Sequence, residues 1–431
     1  MRTRLQTAIV MLTLVMSFVA RARATDADLV APYVGDRTAA VIRIDLEKVS
    51  LTKVARWYID SMKRANAPAD LMLEMENQIK MGSAMAQQQV DKVKQMGVKQ
   101  VLLVVNLDDR DQPHPILVVP GVTNMDQLKQ MVQPMGLSII KSEGDLIATD
   151  RGYAGAIAGI KPARRDDLTA PLANADSAIM LSAALPESLR AKLAVDHPTI
   201  QTPDDEIDTQ MLLDGLRHVL VKIDMQPAIG MGYTIQSKDE AAAKALKEFA
   251  DTSAVREIDK DKSMAGLLDV VKLVSPTRQG DTLSLSMKEA DLDKLIATSL
   301  PAMLKARETA NRVKSASNIR QMMLAVTMFA NDNKGQTPAT FQDLEKYLGG
   351  PMQMNRLLSN PLHPELAQAG YVFVPAPEGR ISKIKDSSGR LAIYEAGDFG
   401  DGVNVGFWDG HVQWIADKAK FDQLLATAQG K

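Results

Sequence analysis

The order in which strand-like and helix-like segments follow one another is the feature that most constrains this chain. Between Asp26 and about position 300, short β-branched runs alternate with amphipathic helical patterns. Residues 39–46 read as a strand. Helices follow at 50–63, with Val54, Trp57, Tyr58 and Met62 on one face, and at 69–96. Residues 101–107 and 114–119 are strands joined by a polar, Pro-containing loop. A helix capped by Asn124 then leads to a hairpin, 137–141 and 145–149, around Gly144. The same order returns further on. A strand at 177–185 precedes a helix that Pro186 opens and another near 205–216. Strands at 217–225 and 228–236, an Ala-rich helix at 238–251, and strands at 270–274 and 282–287 follow. Strand–helix–helix–strand–strand–helix–strand–strand, written twice, implies an internal duplication. Successive strands joined by short loops imply antiparallel sheets with helices on one face, an α+β design. The two copies are assigned to residues 25–160 and 161–300.

The composition narrows the chemistry. Cysteine is absent, which excludes disulfide staples, thiolate metal sites and a cysteine nucleophile. The formal charge is −2, so no broad basic field points to nucleic acid. The duplicated region has no phosphate-cradling glycine loop, no H-E-x-x-H and no G-x-S-x-G. His114, His197 and His218 each lack a second histidine at ligand spacing and read as structural residues. The run Asp204-Asp205-Glu206 reads as a helix N-terminus favoured by the dipole. Met72, Met75, Met81, Met85 and Met96 fit either an adaptable binding face or the core, and core packing is the favoured expectation. No catalytic residue and no cofactor-binding residue is assigned.

The N-terminus reads as an address. Arg2 and Arg4 precede an apolar run of 14 residues, 7–20, and then Ala22-Arg23-Ala24. This is the pattern of a cleaved secretory signal, with cleavage expected after Ala24. A spanning helix needs roughly 20 apolar residues, and Arg21 and Arg23 close the run before that. Removing residues 1–24 takes away four arginines and no acids, so the charge becomes −2 − 4 = −6. The expectation is a periplasmic or secreted protein with no transmembrane segment after cleavage.

A third region, 301–431, has its own pattern. A long helix is expected over 289–330, ended at Asn331-Asp332-Asn333-Lys334-Gly335. A short helix at 340–348 and strands at 370–375, 389–396, 403–408 and 411–415 follow, with Asp409-Gly410 as a hairpin turn. A closing helix is expected at 417–427. Two segments stand out: Asn318-Ile319-Arg320-Gln321-Met322-Met323-Leu324-Ala325 with Phe329-Ala330-Asn331-Asp332-Asn333 behind it, and Asn404-Val405-Gly406-Phe407-Trp408-Asp409-Gly410-His411-Val412-Gln413-Trp414 near the end. In that order they resemble the prepilin-type processing-associated family, named for a His, nine residues and then Asp-Gly. The resemblance covers about 115 residues, roughly 311–415. It implies a pseudopilin-like unit, a long helix packed on a small antiparallel sheet, in an exported protein. The family's naming histidine would fall at Phe399, so no metal or catalytic role is expected there. The cysteine that members often carry near Ser359-Asn360-Pro361 is also missing. In a true pseudopilin the helix begins the mature chain, whereas here it follows about 300 residues of other protein. Polymerisation as a pilus subunit is therefore not expected.

One loop suggests a ligand. Asp398, Asp401 and Asp409 offer hard oxygens to calcium. Major pseudopilins hold calcium in their C-terminal loops, so the resemblance adds weight to calcium as the ion to test here. The spacing is not an EF-hand, and Gly-Asp loops are usually turns, which is the favoured expectation. His411 beside Asp409 belongs to a hairpin with no nucleophile nearby. Trp408 and Trp414 suit packing of a small sheet or stacking on a sugar ring. The leading expectation is a non-enzymatic exported protein that acts as a structural or interaction module and meets envelope or secretion-system proteins. The alternatives are a calcium- or ligand-binding extracytoplasmic module and a hydrolase whose groups converge only in three dimensions.

Overall fold

The computed structural model describes residues 25–428 apart from 123, 133, 135, 175, 202–205 and 261–266. The expected signal, residues 1–24, lies outside the described residues. Helix and antiparallel sheet are mixed throughout, and the chain divides into two compact units, Met1–Pro301 and Ala302–Lys431.

The first repeat supplies β1 (Thr38–Asp45), β2 (Gln100–Leu107), β3 (Pro113–Val119), β4 (Leu137–Glu143) and β5 (Asp145–Asp150). The second supplies β6 (Ile179–Ala183), a small hairpin β7 (Thr199–Gln201) and β8 (Glu206–Asp208), then β9 (Leu216–Asp224), β10 (Gly230–Ser237), β11 (Thr277–Gln279) and β12 (Thr282–Lys288). Ten of these form one sheet in the order β11-β12-β10-β9-β6-β1-β2-β3-β5-β4. Read outward from the β6/β1 seam, the two halves have the same order: β1-β2-β3-β5-β4 and β6-β9-β10-β12-β11. The two halves thus repeat one strand order, and they share a sheet because their first strands pair antiparallel, Val41 opposite Ser182 and Ile44 opposite Ile179.

Three expectations are corrected. Helices are expected on one face of the sheet, but the first half is covered on both. Ile44, Val101, Leu117 and Leu146 pack with Val90 and Val93 of the helix Ala69–Gln95. On the other face Val41, Leu102, Val104 and Ile116 pack with Val30, Leu168 and Leu172 from short helical segments. The cause is legible in the strands, since continuous apolar runs such as VLLVV and ILVV belong to strands buried on both sides. Residues 270–274 are not a strand but the end of a helix, Leu268–Val274. A short apolar run fits either structure by periodicity alone, and the strand that pairs with β12 is Thr277–Gln279. Finally, Glu206 lies in β8, and the helix of this region starts at Thr209, where the Asp208 side chain accepts from the Met211 N–H at 2.9 Å. Residues 204 and 205 lie outside the described residues.

The helix Glu289–Asp332 contributes to both units, with the division after Pro301. Its ending at Gly335 matches the expectation. Lys334 and Gly335 have φ of 53° and 81°, and the Gly335 N–H donates to Ala330 O at 2.7 Å. In the second unit four strands form an antiparallel sheet in chain order: β13 (Tyr371–Phe373), β14 (Leu391–Glu395), β15 (Val403–Phe407) and β16 (Val412–Ile415). Ile319, Met322, Met323 and Val326 of the long helix pack on one face with Ile393 and Trp408. Val405, Phe407 and Ile415 pack on the other with Phe421 and Leu424 of the closing helix Lys418–Ala428. A Cβ at Gly406 would stand 2.6 Å from Ile319 Cγ2, so only glycine allows this approach of helix to sheet. Among the described residues no helix is long and apolar enough to cross a membrane.

Candidate functional site

Two of the residues singled out in the second unit, Asn318 and Asn404, meet at a buried polar knot. Asn318 and Ser315 stand on the long helix, one turn apart, and both face the sheet. Tyr371 opens β13, Glu395 ends β14 and Asn404 lies in β15. Glu395 is 5% exposed. Its carboxylate accepts from the Asn404 N–H at 2.6 Å, from Asn404 Nδ2 at 2.8 Å and from the Ser315 hydroxyl. Ser315 Oγ and the Tyr371 hydroxyl lie 2.9 Å apart, and Asn318 Nδ2 donates to that hydroxyl at 3.3 Å. Asn404 Nδ2 also donates to Arg312 O at 3.0 Å. Burial pushes the Glu395 carboxyl above its usual range, against the hydrogen bonds that favour its charged form. Burial likewise pushes Tyr371 up to about 12. Three elements are tied at one carboxylate, and its donors leave little of it for a substrate.

The other motif residues are at the surface. Arg320, Gln321, Asn331 and Asp332 are exposed on the long helix, and Asp332 accepts from the Tyr347 hydroxyl at 2.9 Å. At the β15–β16 turn Gly410 takes φ of 92°. His411 stacks on Phe407 at 4.2 Å, and its Nδ1 is 2.6 Å from Asp409 Oδ1. Burial alone would raise the Asp409 pKa, but the bonds from His411 outweigh it and hold the carboxyl below its usual range. Asp398 and Asp401 are exposed. Among the described residues no three His, Asp or Glu side chains are grouped so as to hold a metal ion. Trp408 is buried edge-on against Phe373 at 5.9 Å, and Arg312 lies 4.9 Å over the Trp414 ring. Both tryptophans serve packing.

In the first unit the structure makes a cluster that the sequence reading missed. His114 lies between two carboxylates, Nδ1 2.7 Å from Asp150 Oδ2 and Nε2 3.3 Å from Asp108 Oδ2, and stacks on Tyr153 at 4.4 Å. Partial burial disfavours the charged imidazole, but the two aspartates outweigh it and raise the pKa above 6.5. Beside it Asp111 pairs with Arg37 at 3.1 Å and with Lys192 of the second repeat at 2.8 Å. The arrangement clamps the β2–β3 hairpin to both repeats. The available signal was the turn Asp108-Asp109-Arg110-Asp111, whose acids face a strand-borne histidine across the hairpin. His218, in contrast, is half-buried on β9 and burial lowers its pKa. An open cleft along the helix pair Leu51–Arg64 and Ala69–Gln95 is lined by Arg56, Lys63, Glu76 and Lys80, and Glu76 is paired with both lysines.

No family model, no curated protein and no solved structure matches this chain.

Proposed function

We propose that this is a non-enzymatic exported cell-envelope protein, a structural and interaction module whose second unit is pseudopilin-like. The observation that carries the reading is the knot at Glu395. The two asparagines that mark the family resemblance, Asn318 and Asn404, both enter it, and it fastens the long helix to a small antiparallel sheet. Three groups of types used in catalysis are engaged in structure: Glu395 by Ser315 and Asn404, His114 by two aspartates, and His411 by Asp409. The resemblance then supplies the setting, outside the cytoplasm and among envelope or secretion-system proteins.

The test is cell fractionation with intact-mass measurement, followed by cross-linking in the envelope. The expected result is a chain that starts at Thr25, outside the cytoplasm, and is cross-linked to envelope proteins through residues 302–431. A cytoplasmic chain that retains residues 1–24, or specific turnover by the purified protein, overturns the reading.

A further inference from the structure

The helix Ala69–Gln95 has two faces with different fates. Met72, Val90 and Val93 are buried. On the opposite side Met81 and Met85 are 65% and 64% exposed, against the expectation that they pack in the core. Single apolar residues at a surface need no explanation, but these belong to a pattern. Positions 70, 74, 77, 81, 85, 88 and 92 follow intervals of four and three, which places them in one stripe along a helix. Asp70, Asn77, Met81, Met85, Gln88 and Lys92 are all exposed on it.

Two properties of the stripe are informative. The spacing is the same in both directions from Met81: four, seven and eleven residues. The two ends carry opposite charge, Asp70 eleven residues before Met81 and Lys92 eleven after, and the stretch from Asn77 to Gln88 is uncharged along the stripe. A stripe of this kind complements itself when a second copy runs antiparallel. A two-fold axis at Met81 brings the two Met81 side chains together, sets Met85 against Asn77 of the second copy, and sets Asp70 opposite Lys92 of the second copy. A parallel pairing sets Asp70 on Asp70 and Lys92 on Lys92, which like charges oppose. We propose that the protein self-associates as an antiparallel, isologous dimer through the outward face of this helix, centred on Met81. The flexible thioethers fill the centre, the amides of Asn77 and Gln88 fix the register at a cost in affinity, and the terminal charges select the orientation. The inference goes beyond the envelope reading and does not depend on it.

The absence of cysteine makes the test direct. Met81→Cys introduces a single thiol at the axis, where mild oxidation should link two copies. Leu73→Cys also introduces a single thiol, but in an antiparallel pair its counterpart lies sixteen positions along the helix, about 24 Å away. A disulfide spans Cα atoms only about 4–7 Å apart. The expected result is a linked dimer for Met81→Cys and an unlinked chain for Leu73→Cys. In sedimentation the unmodified protein should dimerise with concentration. Met81→Glu should raise the dissociation constant by about tenfold or more, the effect of losing a central contact. Asp70→Lys should weaken the dimer, and Asp70→Lys combined with Lys92→Asp should restore it. These sites are exposed, so folding should survive, which circular dichroism checks. A monomer at every accessible concentration overturns the proposal. So does Leu73→Cys linking as readily as Met81→Cys, which marks a parallel or non-specific contact.

Discussion

The two units bury their polar groups in different proportion to their apolar cores. In the first, Leu146, Ile116, Leu102 and Met180 are fully buried among aliphatic neighbours, and the buried polar groups stand towards the strand ends: Thr38 bonds to Asn106, Arg43 pairs with Asp26, and the ionic cluster around His114 sits where the β2–β3 hairpin ends. In the second, the sheet is four short strands, and a carboxylate, two hydroxyls and two amides lie inside it. A long, two-sided sheet has enough apolar surface to define its own register. A four-stranded sheet on one helix has many near-equivalent ways to slide, and a knot of directional bonds singles out one. The difference teaches that directional bonds carry, in the small sheet, a share of the registration that aliphatic packing carries in the large one.

The sharpest way to break that comparison is to exchange the chemistry of the two interiors. Leu146→Asn puts an unpartnered amide among aliphatic side chains in place of a side chain of the same shape, and should cost about 4 kcal/mol in urea unfolding. Glu395→Leu removes the acceptor for the Asn404 N–H, Asn404 Nδ2 and Ser315, and should cost about 3 kcal/mol despite being the more apolar side chain. A stabilised Glu395→Leu protein would remove the argument for the knot. Tyr371→Phe, which deletes only the hydroxyl shared by Ser315 and Asn318, should cost about 1–2 kcal/mol.

The pH dependence separates the regions further. Glu395 binds its proton more tightly when folded, so its contribution to stability is greatest in acid. That contribution is lost as pH rises from the ordinary value of 4.5 through the raised one. His114 also holds its proton more tightly when folded, so its loss begins only above 6.5. The chain has three tryptophans, Trp57 in the first unit and Trp408 and Trp414 in the second. Trp57→Phe therefore lets fluorescence report the second unit alone. Its stability should decline with pH from mild acid, and Glu395→Gln should flatten that slope. The smallest effect is expected for His114→Gln, less than about 1 kcal/mol because solvent screens a cluster at the rim. It should abolish the decline of the first unit above neutrality, and an unchanged pH profile would rule out the aspartate clamp.

Much of this architecture was legible in the chain because its signals are local. Turn residues such as Gly144 and Asp409-Gly410 separate patterns of different period, and these fix the sequence of strands and helices. The seam between β1 and β6 was not legible, since it joins segments far apart in sequence and no local pattern names a strand's distant neighbour. The short apolar run at 270–274 misled because it satisfies helix and strand alike. At the knot, the resemblance pointed to Asn318 and Asn404 but not to Glu395, which reads as the start of an acidic loop. The clue was its phase: two residues after the buried Ile393, it falls on the same side of β14. His114 has no second histidine at ligand spacing, but its partners are aspartates, and a turn supplies one of them.

The seam at β1 also has a temporal consequence. Any process that delivers this chain N-terminus first, ribosomal synthesis or threading across a membrane, completes β1 to β5 well before β6 arrives. During that interval β1 is a sheet edge with unpaired backbone groups, flanked by apolar side chains. At about 5–20 residues per second, the stretch from Asp150 to Ile179 takes a few seconds on a ribosome. Whatever holds the nascent first half apart from its neighbours in that window guards the strand that later becomes the middle of the sheet.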